Sequence, residues 1–286
     1  MKILVATDGS KYGQWATEWV ARLPLAERRD CTVLHVLDVE ALRAPFMFQP
    51  VVIGNEPFIQ EEIKRIEARG KKAVTESEAQ LAKLNLKGKV VAERGAVGPT
   101  ILKRAAHRDG LVVLGSRGLD ALDRVMLGSV STQVTLHAPC SVLIVKEEPR
   151  PINRILFATD GSKASDKALR FLLKKFQADN AEAGGKGPIE VVVAHAMPFL
   201  KYPEVKEAGA RLVEQAAQKL VKAGYVVEEV VRLGKPADEI IKIADKKKVD
   251  LIVTGAKGLG AVARFLLGSV STKVIQHSTC SVLVVR

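Results

Sequence analysis

Residues 3–11 have the sequence ILVATDGSK, and residues 155–163 have the sequence ILFATDGSK. In both stretches a short apolar run ends in Thr-Asp-Gly-Ser. Such a run predicts a buried β-strand, and the polar residues after it predict a turn into a helix. The near-identity of two stretches so far apart in the chain indicates an internal repeat.

Three more motifs recur, all with an offset of 140 residues. In each half a Gly-x-x-Gly motif is followed by nine residues and then by Gly-Ser-Val-Ser-Thr, and a Cys-Ser-Val-Leu run comes last. A repeat unit of this length is a whole domain, so we predict one domain at residues 1–147 and a second at residues 152–286. The motifs lie at 115–118, 128–132 and 140–145, and again at 255–258, 268–272 and 280–285.

The composition is typical of globular domains, since 47% of the 286 residues are hydrophobic and 27% are charged. No apolar run approaches the roughly 18 residues of a membrane helix. The N-terminus does not resemble a signal peptide, so we expect a cytoplasmic protein with no membrane span. The net charge of +12 favours anionic partners. Few aromatic residues accompany the basic ones, which counts against nucleic acid as that partner.

In each half, apolar β-branched runs alternate with longer segments of helical periodicity. This alternation predicts an α/β fold, with two tandem copies of a doubly wound five-stranded parallel sheet. We expect Ser10 and Ser129 to be helix N-caps. The predicted strands are 2–7, 32–36, 89–93, 111–115, 142–145, 154–159, 190–195, 226–231, 251–255 and 282–285, and the helices of the first half are 11–23, 58–84, 99–108 and 129–136.

Ligands in such sheets bind beyond the carboxyl ends of the strands, so the residues that follow the strands form the candidate site. Gly115 and Gly118 would let backbone approach a ligand closely. A helix that opens at Gly128 would point free N–H groups outward, which suits a phosphate. Asp8 could accept from a ribose hydroxyl or bind a cation, and Val36 could flank a base. Thr7 precedes this aspartate, and Ser129, Val130 and Ser131 complete the helix start.

The glycine spacing resembles the nucleotide-binding signature of the universal stress protein family. The opening ILVATDGS, the His-Val at the end of the second strand and the closing CSVLIV are similar too, so the resemblance covers both halves. It implies a Rossmann-like fold of the adenine-nucleotide α-hydrolase type, binding of ATP or AMP, dimerisation through the last strand and a role in the stress response. Carried over by position, the contacts of the second half fall on Thr159, Asp160, Ala196, Gly255, Gly258, Gly268, Ser269, Val270 and Ser271.

Three classes of function remain open at this point. A nucleotide-binding regulatory protein is the first, and Mg²⁺ could accompany its nucleotide. An enzyme on the same fold is the second, but the chain lacks His-x-Gly-His, Ser-Gly-Gly-x-Asp-Ser and Walker motifs, so we assign no catalytic residue and expect ATP hydrolysis to be slow or nil. A carrier or scaffold for a lipid-like ligand or a protein is the third, with residues 46–48 (Phe-Met-Phe) as its support.

The halves also differ. The first half has about twenty extra residues within 37–60, judged from the shift between the repeat offsets. Pro198 in the second half removes a backbone donor beside its predicted site. We expect the halves to pair antiparallel through their apolar last strands as an intramolecular pseudo-dimer, with a further homodimer as an open alternative. His35 and His195 are predicted to be structural, and Arg117 and Lys257 either neutralise phosphate or face solvent.

Overall fold

A computed structural model describes residues 1–39, 56–105, 109–118, 127–198, 203–257 and 267–286. The first half contains β1 (Lys2–Ala6), α1 (Lys11–Arg22), β2 (Asp30–Leu37), α2 (Glu56–Lys83), β3 (Gly88–Arg94), α3 (Val97–Arg104), β4 (Leu111–Gly115), α4 (Ser129–His137) and β5 (Ser141–Val145). The second half contains β6 (Arg154–Ala158), α5 (Lys163–Lys175), β7 (Glu190–Met197), α6 (Pro203–Lys222), β8 (Val226–Leu233), α7 (Pro236–Lys247), β9 (Leu251–Gly255), α8 (Ser269–His277) and β10 (Ser281–Val285).

All ten strands form one sheet, in the order β3-β2-β1-β4-β5-β10-β9-β6-β7-β8. Within each half the strands are parallel, and β5 pairs antiparallel with β10 through Leu143 opposite Leu283. Both strands are buried along their whole length, as the apolar sequence of each predicts. The predicted α/β class is therefore confirmed.

Helices cover both faces of the sheet, and each face has a core cluster that spans the two halves. Trp19 of α1 and Phe157 of β6 are both fully buried in the cluster on one face. On the other face, Val134 of α4 and Val274 of α8 belong to the second cluster. None of the helices among the described residues is both long and apolar enough to cross a membrane.

The residues that follow β5 and β10 connect the two halves by exchanging helix caps. Lys146, directly after β5, donates from Nζ to the carbonyl oxygen of Ser278 at 2.6 Å, at the end of α8. Arg286, directly after β10, donates from one guanidinium nitrogen to the carbonyl oxygens of Thr135 and Leu136 at 2.5 and 3.1 Å, in the last turn of α4. Such cations satisfy carbonyl groups that have no intrahelical partner and complement the helix dipole.

The backbone repeats the exchange. The N–H of Lys146 donates to the hydroxyl of Ser281 at 3.2 Å, and the N–H of Arg286 donates to the hydroxyl of Ser141 at 3.4 Å. Both pairs of residues are repeat equivalents, 140 positions apart. The two halves are therefore connected by a two-fold arrangement of hydrogen bonds on either side of the β5–β10 pair.

The Thr-Asp-Gly-Ser turn is held by the same hydrogen bonds in both halves. The N–H of Ser10 donates to Asp8 Oδ1 at 3.0 Å, and the N–H of Gly13 donates to Ser10 Oγ at 3.2 Å, which confirms Ser10 as the N-cap of α1. The predicted cap at Ser129 is wrong. Gly128 is the N-cap of α4, because its extended backbone places Ser129 in the first helical position.

Glycines at the ends of β4 and β9 let helices lie directly on the sheet. A β-carbon added to Gly115 would be 2.7 Å from the β-carbon of Tyr12 and 2.9 Å from its carbonyl carbon. A β-carbon on Gly255 would be 2.5 Å from the carbonyl carbon of Ala164. These contacts involve helix backbone, which cannot move aside as a flexible side chain can. Helix packing therefore requires glycine at both positions. The sequence interpretation had considered only the close approach of a ligand.

Replacing Arg286 with alanine should lower the free energy of unfolding by about 1–3 kcal/mol, because α4 loses charged hydrogen-bond donors at its C-terminus. Urea unfolding followed by circular dichroism measures this change. Arg170, which is exposed on α5, supplies a matched control, and Arg170→Ala should change stability by less than about 0.5 kcal/mol. Equal stability of the two variants would contradict the capping role of Arg286.

Replacing Gly115 with alanine should cost about 1–3 kcal/mol of stability, because the added methyl group overlaps the backbone of α1. Gly128→Ala is the control. Its β-carbon would meet no described atom nearer than 3.5 Å, so the loss should stay below about 1 kcal/mol. Thermal unfolding of both variants tests the comparison, and the explanation fails if Gly128→Ala proves the more destabilising.

Candidate functional site

A cavity of about 380 Å³ opens at the carboxyl edge of the first half, where the strand order reverses between β1 and β4. This is the place where open α/β sheets bind ligands, and the volume lies in the range of small-molecule sites. All nine residues that the sequence predicts for the first site line it. They are Thr7, Asp8, Val36, Gly115, Gly118, Gly128, Ser129, Val130 and Ser131.

One end of the cavity is formed by the first turn of α4. The N–H of Gly128 donates to the carbonyl of Ser116 at 2.9 Å, and the first helical hydrogen bond runs from Thr132 to Gly128. The N–H groups between them, on residues 129–131, belong to the turn that has no intrahelical partners. Its cap residue, Gly128, has no side chain to occupy these N–H groups. The positive end of the helix dipole therefore faces the cavity.

The serine hydroxyls of this turn differ in their roles. Ser131 is buried, and its hydroxyl donates to the carbonyl oxygen of Gly115 at 2.7 Å. Ser129 is exposed at the start of the helix. The hydroxyl of Ser131 therefore ties α4 to the end of β4 rather than offering its proton to a ligand, whereas its backbone N–H remains part of the helix start.

Asp8 and Gly118 meet across the mouth of the cavity. A β-carbon on Gly118 would lie 2.5 Å from Oδ2 of Asp8, so a side chain there would collide with the carboxylate. Oδ1 of the same aspartate accepts from the N–H of Ser10. The carboxylate is thus held by its own turn on one side, and glycine at 118 gives it room on the other.

The opposite end of the cavity is apolar. Leu34 and Val36 of β2 contribute to it, and so do Val97 and Ile101 of α3. The sequence interpretation missed the two residues of α3, although their spacing of four places them on one face of a helix. The amide end and the apolar end together suit a ligand that has an anionic part and a flat or apolar part.

His35 and His195 make hydrogen bonds within the fold, as a structural role predicts. His35 is 3% exposed, and its Nε2 is 2.9 Å from the hydroxyl of Ser77 on α2. Burial lowers the pKa of His35, which favours the neutral ring. Nδ1 of His195 donates to the carbonyl oxygen of Thr159 at 2.8 Å. Within the described ranges, no three His, Cys, Asp or Glu side chains come close enough to bind a metal ion.

The second half repeats the polar framework of the site. Oδ1 of Asp160 accepts from the N–H of Ser162 at 3.0 Å. The N–H of Gly268 donates to the carbonyl oxygen of Ala256 at 2.8 Å. The hydroxyl of Ser271 donates to the carbonyl oxygen of Gly255 at 2.8 Å. Gly258 lies outside the described residues. The other predicted residues of this half occupy the equivalent places, namely Thr159 after β6, Ala196 in β7, and Ser269 and Val270 in the first turn of α8.

Several known proteins are similar to this chain in sequence or in fold. A universal stress protein of Mycobacterium tuberculosis is 28% identical over 299 residues, covering 99% of this chain and 96% of its own. A universal stress protein of Bacillus subtilis is 36% identical over 146 residues, covering 47% of this chain and 99% of its own. The crystal structure of a universal stress protein from Archaeoglobus fulgidus has a TM-score of 0.70 at 22% identity, covering 100% of this chain and 96% of its own.

The family model for universal stress proteins matches the chain twice, at residues 1–146 and at residues 151–286. Each match contains one complete set of the Thr-Asp-Gly-Ser turn, the glycine motif and the last strand. The chain therefore belongs to the universal stress protein family, with two family domains in tandem.

Proposed function

We propose that this protein is a regulatory stress-response protein that binds an adenine nucleotide, ATP or AMP, in the cavity of the first half. The observation that carries the proposal is the division of one cavity into an amide end and an apolar end. A nucleotide has the same division, with anionic phosphates at one end and a flat, largely apolar base at the other.

The phosphates would bind at the start of α4. Three successive N–H groups, on residues 129–131, and the dipole of the helix attract an anion there. Gly128 adds no side chain, and a β-carbon at this position would have no described neighbour nearer than 3.5 Å. This open space allows a phosphate group to approach the backbone.

The base would occupy the apolar end, between Val36 of β2 and the α3 residues Val97 and Ile101. Asp8, between the two ends, would accept from a ribose hydroxyl. Mg²⁺, if it binds with the nucleotide, would depend on phosphate oxygens, because no ready metal cluster exists among the described residues. Asp8 is the carboxylate among the cavity-lining residues.

We infer that the second half holds a similar site at Gly268 and Ser269, and that the two halves act as a built-in dimer through β5 and β10. A further homodimer and a cytoplasmic location stay predictions. The carrier alternative drew its support from residues 46–48, which lie outside the described residues. The nucleotide proposal draws instead on residues that line the described cavity.

Replacing Gly128 with valine should weaken ATP binding at the first site at least tenfold, a loss of about 1.4 kcal/mol, because the side chain fills space beside the helix start. The extended backbone of Gly128 suits a β-branched residue, so the fold should persist. Isothermal titration calorimetry measures the affinity, and circular dichroism checks the fold. Unchanged ATP affinity would contradict the site, and a lipid-like ligand in the native mass spectrum without nucleotide binding would favour the carrier.

The first site should bind adenine nucleotide more tightly than the second. Pro198, which follows β7, has no backbone N–H, whereas its repeat equivalent after β2 is not a proline, and one lost hydrogen bond to a buried edge costs about 1 kcal/mol. Titration of ATP into Gly128→Val and Gly268→Val compares the sites, and the first variant should lose most of the tight binding. If Gly268→Val removes more of it, the ranking is wrong.

A further inference from the structure

An arginine at the mouth of the first cavity is held in place by an aromatic pair on α1. Arg117 donates from one guanidinium nitrogen to the hydroxyl of Tyr12 at 2.8 Å. Its guanidinium carbon is 5.3 Å from the centre of the Tyr12 ring. Trp15 packs edge-on against that ring, with centroids 5.1 Å apart and planes at 81°. These contacts restrict the side chain of Arg117 before any ligand binds.

The hydrogen-bonding capacity of this arginine is only partly used. Its Nε is buried and has no hydrogen-bond partner within the described part of the chain. A guanidinium keeps its charge and offers five N–H donors in a plane. Because a buried N–H without a partner costs free energy, binding of an acceptor beside it is favourable. Arg117 lines the same cavity as Gly118 and Gly128. An anion at the start of α4 would therefore lie beside a positioned cation.

A second cation increases the positive potential here. Lys146, which caps α8, lies close enough to Arg117 for the two charges to interact, and burial together with this charge lowers the pKa of Lys146 to about 8. A fixed guanidinium binds phosphate in a bidentate manner, whereas an ammonium acts as a point charge. Each additional phosphate on a nucleotide would gain from this charge pattern.

The second half has neither the arginine nor the tyrosine that holds it. The repeat equivalent of Tyr12 is Ala164, at an offset of 152, and the equivalent of Arg117 is Lys257, at an offset of 140. Alanine has no hydroxyl or ring with which to hold a cation, and lysine has no planar fork. The carbonyl of Lys257 accepts from the hydroxyl of Ser162 at 3.4 Å. The halves therefore share the helix start but not the held arginine.

We propose that Arg117, positioned by Tyr12, makes the first site selective for the number of phosphate groups on the nucleotide. Nucleotides with two or three phosphates bind there more tightly than monophosphates. This inference rests on the proposed nucleotide function. A single phosphate would be held by the amides of α4, and the further phosphates would reach the guanidinium. The second site, without the arginine and the tyrosine, discriminates less between ATP and AMP.

The test measures the dissociation constants of ATP and AMP by calorimetry in a Gly268→Val background, which isolates the first site. Arg117→Gln should weaken ATP about tenfold and AMP by less than about twofold, since only the outer phosphates lose a charged partner. Arg117→Lys keeps the charge without the fork and should lie between. Tyr12→Phe keeps the ring, removes the hydroxyl, and should reduce the ATP preference about threefold.

Lys11→Gln is the matched control, because it removes one positive charge from the same helix. Lys11 is exposed, and its Nζ is 4.6 Å from the centre of the Trp15 ring. This variant should therefore leave the ratio of the ATP and AMP dissociation constants unchanged. Equal weakening of ATP and AMP by Arg117→Gln would overturn the role of Arg117 while leaving the nucleotide site intact. So would equal binding of ATP and AMP before mutation. Absence of binding by either nucleotide would instead overturn the proposed function.

Discussion

The antiparallel pairing of β5 with β10 is the constraint on which the rest of the molecule depends. Each five-stranded half would expose its last strand, a fully buried apolar segment, if the other half were absent. Joining the two strands removes that edge and makes one ten-stranded sheet. The two core clusters become continuous across the joint, so the halves share their cores and do not merely touch.

This joint also determines where the site can open. Because β4 lies next to β5, the end of β4 is held between the joint and α1, and Gly115 lets the backbone of α1 approach it closely. The cavity then forms on the other side, between the ends of β1 and β4 and the start of α4. A glycine that reads as a ligand contact in the sequence thus also serves the packing that shapes the cavity.

Much of this could be predicted from the sequence. The apolar runs and repeated motifs were enough for the fold class, the repeat and the clustering of Asp8, Gly118 and Gly128, because parallel strands carry their following residues to one edge. The helix predicted at 99–108 spans Val97–Arg104 in the structure, and residues 106–108 at its predicted end lie outside the described residues. Such boundaries depend on contacts that local patterns do not contain.

Contacts between distant residues were beyond the sequence interpretation. Nothing local in Arg286 indicates that it caps a helix of the other half, since its partners are about 150 positions away. For the same reason, the sequence could not decide whether Arg117 neutralises phosphate or faces solvent. Its partner Tyr12 is 105 positions away on α1, and only the packing of α1 on β4 brings the two together.

The cap exchange gives α4 a particular position in the molecule. Its first turn lines the candidate site of the first half, and its last turn is held by Arg286 of the second half. Helix α8 has the equivalent arrangement at its end: Gly268 is its N-cap, and its C-cap Ser278 accepts from Lys146 of the first half. The nine residues of α4 make about two and a half turns, so its two ends lie only about 13 Å apart. A ligand in the proposed site would therefore contact the first turn of a helix whose far end belongs to the contact between the halves.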